Sequence, residues 1–367
     1  MILVINAGSS SLRCALFPLG ADAPAWRAHV AEIGQEPRLS EDGVAVTGEQ
    51  PAGDHAAAAR WLFARLPVAP TAAGHRVVHG GLRYTAPMRL DAEVMRALEA
   101  LVPLAPAHQP QALACIRAVK ETWPHLPQIA CFDTAFHRTQ DRLAQLYPLP
   151  RALIDEGLVR FGFHGLSYAH VARTCPHGRV LAAHLGHGAS LCAIRDGRSV
   201  ATTMGFTTLD GLMMGTRSGA VDPGLVLHLI RERGLTPDAV AELLNERSGL
   251  LGVSGFSDDV RVLEASGAQE AREALDLYVY RVVREAGSLV AALGGLDTLV
   301  FTGGVGEHAA NVRAGICRGL AFANVILDAV VNNRGEASIG DPLSTGTEVS
   351  AIVGFQNSLA GGFGADR

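Results

Sequence analysis

The chain has 367 residues, 48% hydrophobic and 18% charged, with a net charge of −5. That length fits about two domains, and the apolar content lets each bury a core. The basic residues are scattered, so the clustered Lys and Arg of a nucleic-acid-binding surface are missing.

The first twenty residues, MILVINAGSSSLRCALFPLG, read as an apolar strand, a small-residue turn and a second strand. Trp26–Ile33 and Gly43–Thr47 alternate enough to extend the same sheet. Asp54–Leu66 reads as a helix, and His75–His79 as a strand ending in Gly80-Gly81. Helices are expected at Asp91–Leu101, with Asp91 as N-cap, and at Pro110–Thr122. A buried strand, Gln128–Phe132, ends at Asp133. Residues 138–160, with Pro148 and Pro150, read as a crossing into a second lobe.

That lobe opens with VLAAHLGHGASLCAIRDG, a weaker copy of the first hairpin. Ser11-Leu12 matches Ser190-Leu191, 179 positions further on. Helices follow at Pro223–Arg233, Pro237–Glu246 and Ala268–Leu293. Strand Thr298–Thr302 then runs into Gly303-Gly304-Val305-Gly306-Glu307 and a new helix. Val349–Val353 is expected as a last buried strand. Strands alternating with helices give an α/β fold with mixed sheets. The boundaries read as 1–140 for the first lobe, joined by the tail 360–367, and 141–359 for the second.

Six cysteines show no CxxC spacing and suit a reducing compartment. Asn6 follows Met1 after only four apolar residues, which is no signal-peptide pattern. The apolar stretch 287–304 is broken by Asp297 and glycines, so it reads as helix, turn and strand, not a membrane span. These features lead us to expect a cytoplasmic protein.

Either glycine-serine turn, taken alone, is an ordinary hairpin turn. As a pair, each opening a lobe, they read as a phosphate clamp presenting N–H groups and hydroxyls to an anion. Gly303–Gly306 lets a backbone approach a ligand closely, or is a tight structural turn; it lacks the Lys-Ser/Thr of a P-loop. Arg76 and His79, His108, Asp133, His137 and His164 sit at strand ends or turns, where a lone polar group is usually structural. Arg217 is different, because the small neighbours in MGTRSG leave its fork open to a phosphate or carboxylate. Together these groups point to phosphoryl transfer, in which the protein supplies position and positive charge.

INAGSSSLR, HRVVHGG, FDTAFH, FGFHGLS, HLGHG, MGFTTLDGLMMGTRSG, GVSG and FTGGVGE resemble, in order and spacing, the acetate kinase family. The resemblance runs from residue 2 to about 313 and is more diffuse beyond. It implies the acetate and sugar kinase, Hsp70 and actin superfamily: two lobes, a duplicated ribonuclease H-like fold and a central cleft. It further implies reversible transfer of the ATP γ-phosphoryl to a short-chain carboxylate, with Mg²⁺, in a homodimer. Its partners would be the acid and the nucleotide alone.

Carried over by residue, Arg76 should hold the substrate carboxylate, with Val78, Ala107 and Phe163 around the acyl group. Arg217 should offset charge on the transferring phosphoryl and His164 should hydrogen-bond it. Asp133 should position the metal or the attacking group, with Asn6 near the metal and His108 in support. Arg13, His184, Gly186, His187, Gly188, Asp259, Arg261 and Gly303, Gly304, Val305 and Gly306 should lie on the nucleotide side. A carboxylate is already an anion, so it needs no strong base, only an offset of charge.

The chain departs from the family at five positions. His187 replaces Asn in the HLGNG turn, and Tyr168 replaces a common His. Asn357 stands where a Glu helps bind magnesium, which predicts weaker metal affinity. Ala107 replaces Leu and Thr208 replaces Pro in the acyl pocket, which predicts a shift towards propionate or butyrate. Two rivals remain open: a sugar kinase, disfavoured by Arg76 and the apolar pocket, and a nucleotide-binding protein with weak or no transfer.

Overall fold

The computed structural model describes residues 1–47, 53–336, 338–340 and 347–351. The chain divides into two compact units, with the boundary between Phe136 and His137.

In the first unit, β1 (Ile2–Ala7) and β2 (Leu12–Phe17) form the expected hairpin, and β3 (Trp26–Ala31), β4 (Arg38–Glu41) and β5 (Val44–Val46) extend it. On the other side of β1 lie β6 (Ala72–Val77), β8 (Gln128–Phe132) and the short β7 (Met88–Arg89). The order is β5-β4-β3-β2-β1-β6-β8-β7. From β5 to β1 every pairing is antiparallel, whereas β1, β6 and β8 run parallel. β1 is buried almost throughout, as a central strand covered on both faces must be. Its Leu3 and Ile5 pack with Leu12, Leu16, Val30 and helix residues Leu62 and Phe63 into one apolar core.

In the second unit, β9 (Arg179–Leu185) and β10 (Ala189–Arg195) form the second hairpin, and β11 (Arg198–Thr202) pairs with β10. β12 (Thr298–Thr302) and β13 (Glu348–Ala351) add in parallel beyond β9. The order β11-β10-β9-β12-β13 repeats β3-β2-β1-β6-β8, with the same antiparallel and parallel senses. The sequence echo is therefore a duplicated sheet, the mixed α/β arrangement expected. Helix Gln269–Leu293 packs on β10, burying Tyr278, Val282, Ala286 and Leu293. Gly294 at φ 73° ends it in the left-handed region that glycine tolerates.

Several expected bounds move. The strand expected at His75–His79 is Ala72–Val77, because Ala72, Ala73 and Gly74 pair with β1 and β8 despite their small side chains. Asp91 caps helix Ala92–Glu99 as expected, accepting from the Glu93 and Val94 amides. The last strand begins at Glu348, and the end expected at Val353 lies outside the described residues. The six cysteines form no disulfide, and no described helix is long and apolar enough to cross a membrane.

Candidate active site

In the first unit, strand pairing places Arg13, Asn6 and Arg76 side by side. Asn6 faces Arg13 across β1 and β2, and β6 runs parallel to β1 on the other side. The Asp133 amide continues the β6–β8 ladder by donating to the Val77 carbonyl at 3.1 Å. Arg76 donates from Nε at 2.9 Å and from Nη2 at 2.6 Å to the same oxygen, Asp133 Oδ2, and from Nη1 at 3.1 Å to Asn6 Oδ1. These contacts use three of the five guanidinium N–H groups and leave two. Asp133 is fully buried, and its Oδ1 has no partner among the described residues. Crowding around Arg13, and after that the like charge of Arg76, lower the proton affinity of Arg13.

Ala107 and His108 lie on the segment leading into helix Gln109–Thr122. Gln109 ties that segment to the end of β6, accepting from the His79 amide at 3.2 Å and donating to its carbonyl at 3.1 Å. Ala107 is exposed, whereas Val78 is buried.

In the second unit, His164 precedes helix Gly165–Thr174 with φ 57°, a left-handed conformation that is strained for a residue with a Cβ. Two anchors hold it. His137 Nε2 donates to the Phe163 carbonyl at 2.9 Å, and His164 Nδ1 lies 2.8 Å from Ser190 Oγ on β10. Gly162, at φ 72°, leaves no room for a Cβ against the His137 ring. Burial pushes the His137 pKa down to about 4, so this anchor is neutral at pH 7. Phe163 is buried.

The β9–β10 turn brings the remaining groups together. A Cβ placed on Gly188 would stand 3.5 Å from His164 Nε2 and 3.7 Å from Arg217 Nη1, so both side chains face one point on the backbone. Arg217 Nη1 also donates to the Thr208 carbonyl at 3.2 Å. The His184 ring lies 4.4 Å from that of His164, centroid to centroid, and its Nδ1 bonds Ser167 Oγ at 3.0 Å. The Gly186 amide closes the turn on the Gly188 carbonyl at 3.1 Å. His187 packs over Gly215, and its Nε2 lies 3.0 Å from Asp258 Oδ2. After β12, Gly303 at φ 81° begins helix Gly303–His308, and its amide donates to Glu307 Oε1 at 3.1 Å. Nothing stands within 4 Å of a Cβ on Gly304. Gly306 is buried, and its carbonyl accepts from the buried Arg313 at 3.0 Å.

The profile of the Acetokinase family matches residues 1–353. The chain belongs to the acetokinase family. Among its relatives, the acetate kinase of Nitrobacter hamburgensis is 47% identical over 357 residues, covering 91% of this chain and 88% of that protein. An acetate kinase of Rhodopseudomonas palustris is 46% identical over 354 residues, covering 90% and 89%. Among solved structures, a propionate kinase from Francisella tularensis superposes with a TM-score of 0.92 at 32% identity over 98% of both chains. The acetate kinase of Porphyromonas gingivalis gives 0.87 at 33%, also over 98% of both.

As an acetokinase the chain is a kinase, and membership implies ATP or ADP and a divalent metal. The donor set suits a hard cation: Asp133 Oδ1 is a buried carboxylate oxygen with no described partner, beside the amide of Asn6. No cluster of three or more His, Cys, Asp or Glu able to hold a metal occurs among the described residues. Such a cation would depend on substrate oxygens as well, as Mg²⁺ commonly does.

Asn357 lies outside the described residues. Arg261 points largely to solvent, and its guanidinium pairs with Asp259, which also accepts the Arg261 amide as N-cap of helix Val260–Ala265. Gln109 was not legible in sequence as part of the site, and Tyr168 was legible only as a departure from the family. Ser190, expected from sequence in a turn that offers hydroxyls to an anion, is instead fully buried and bonded to His164 and Tyr168.

Proposed function

We propose that this acetokinase transfers the γ-phosphoryl of ATP reversibly to the carboxylate of a short-chain acid, giving an acyl phosphate and ADP. The support that carries most weight is the point at Gly188 faced by two nitrogen groups, His164 Nε2 and Arg217 Nη1. In phosphoryl transfer, charge spreads over the equatorial oxygens, and donors fixed in advance stabilise it. Arg217 offsets that charge, and His164 hydrogen-bonds one of those oxygens. Arg76, oriented by Asp133 and Asn6, gives its two remaining N–H groups to the acid. The first unit is thus the acid-binding side and the second the nucleotide-binding side, where His184, Gly186, Gly188 and Gly303–Gly306 line the phosphates.

The metal is Mg²⁺, held by Asp133 with Asn6 nearby. When bound it supplies positive charge to the nucleotide phosphates. The acid is propionate or butyrate in preference to acetate, because Ala107 leaves space where a leucine is usual. The protein works in the cytoplasm as a homodimer. Helix Pro223–Arg231 supports the dimer: it carries Leu225, Val226, Leu227, Leu229 and Ile230, yet none of its residues is buried.

ADP release that requires added short-chain acid tests the reading. Nucleotide binding without acid-dependent release would support the second reading, a homologue with weakened transfer, which Asn357 in place of Glu favours.

A further inference from the structure

Ser190 lies on β10, fully buried, with its Oγ 2.8 Å from His164 Nδ1 and hydrogen-bonded to the equally buried hydroxyl of Tyr168. A serine hydroxyl carries one proton, so it can donate to only one of these neighbours. Two arrangements use the serine proton between these neighbours. Either His164 Nδ1–H donates to Ser190 and Ser190 donates to Tyr168, or Tyr168 donates to Ser190 and Ser190 donates to a bare Nδ1. A phenol, with a pKa of about 10, donates more readily than an alcohol, and a neutral imidazole nitrogen is a ready acceptor. The second arrangement gives each group its stronger role.

Positive charge lies close to His164. Arg217 approaches the same face of Gly188 as His164 Nε2, and the His184 ring is 4.4 Å away. An added positive charge on His164 would be repelled by Arg217. His137, the other ring against Tyr168 at 5.7 Å and 68°, is itself neutral, because burial suppresses its charge even though its Nε2 donates to the Phe163 carbonyl.

We propose that Tyr168 and Ser190 act as positioning residues that fix His164 in the tautomer protonated at Nε2, so that the nitrogen facing Gly188 is a hydrogen-bond donor. The inference rests on the reading of His164 as a donor to the transferring phosphoryl. A histidine at position 168 would accept as well as donate and would titrate near neutral pH, so it could not set this polarity alone. A phenol at neutral pH keeps its proton and sets it.

The experiment uses the full chain labelled with ¹⁵N-histidine, and reads which nitrogen of His164 carries hydrogen from its two-bond N–H correlations at pH 7.5. The His164 signals are assigned by their absence from His164→Gln. The wild type is expected to show the Nε2–H form, and Tyr168→Phe a mixture of tautomers. Removing one donor outright costs about 10²–10³ in turnover, and a mixture costs less. Tyr168→Phe is therefore expected to lower kcat about tenfold with both KM values unchanged. An Nδ1–H or doubly protonated His164 in the wild type overturns the proposal, whether or not the variant folds. So does a Tyr168→Phe protein with wild-type tautomer and kcat. The spectrum needs no turnover, so failure of the kinase reading is seen separately, as absence of acid-dependent ADP.

Discussion

Arg76 gives two N–H groups to one oxygen of Asp133 and leaves the other oxygen, Oδ1, buried and without a described partner. Two variants separate the jobs of the two oxygens. Asp133→Asn keeps an acceptor for Arg76 by turning its amide oxygen to the guanidinium, which puts an NH₂ where Oδ1 stands. Its turnover should fall about 10²-fold or more, with a raised Mg²⁺ requirement and a melting point lowered less than that of Asp133→Ala. Asp133→Ala leaves a guanidinium only 15% exposed without its carboxylate, which should cost about 3 kcal/mol of stability. Wild-type Mg²⁺ dependence in Asp133→Asn would make Asp133 a purely structural partner of Arg76.

Gly188→Ala tests the point shared by His164 and Arg217. The added methyl meets its neighbours at 3.5 and 3.7 Å, ordinary contact distances, and Gly188 has no positive φ. The protein should fold with nearly wild-type stability, yet lose most of its turnover because the methyl occupies the place of the phosphoryl. Thermal unfolding and steady-state kinetics on one preparation check this, and full activity would move the reaction elsewhere.

Arg217→Ala should lower kcat by about 10²–10³ while ATP still binds, since the charge it offsets develops on the way to the transition state. Calorimetric titration with ATP alongside kcat tells the two apart. Unchanged turnover removes Arg217 from the mechanism.

Acid preference should follow Ala107. Each methylene buried is worth about 0.8 kcal/mol, or roughly fourfold in kcat/KM. Propionate should therefore exceed acetate in the wild type, and Ala107→Leu should move the preference back. Acetate preferred tenfold by the wild type would refute this.

Acid should destabilise the fold before the carboxylates titrate. Burial lowers the pKa of His75 and His137 from 6.5 to about 4. Between those values the unfolded chain binds protons that the folded one does not, so stability falls as pH drops from 6.5 towards 4. Each contributes about 3 kcal/mol across that window. Urea midpoints from pH 8 to 4.5 should be flat above pH 7 and decline below 6.5; a flat profile down to 5 would contradict the burial of both rings.

Where apolar runs were bounded by strong breakers, the sequence was enough. Gln128–Phe132, Pro237–Glu246 and Thr298–Thr302 all fall as expected. β4 has only one buried residue, Leu39, in Arg-Leu-Ser-Glu, and its pairing with β3 supplies what its composition lacks. Helix Gly165–Thr174 opens with glycine directly after the FGFH turn, so the motif hid its start. In the site, charged and glycine-rich motifs stood out by their number and order along the chain, since each alone has an ordinary structural reading. The roles of Ser190 and Tyr168 were not legible, since a buried hydroxyl reveals its purpose only through its partners.

The most direct test mixes the protein with ATP and Mg²⁺ and, in turn, acetate, propionate and butyrate, trapping any acyl phosphate with hydroxylamine as the hydroxamate. The account predicts hydroxamate that requires both ATP and acid, with propionate or butyrate ahead of acetate. No hydroxamate from any of the three, by a folded protein that binds ATP, would contradict it.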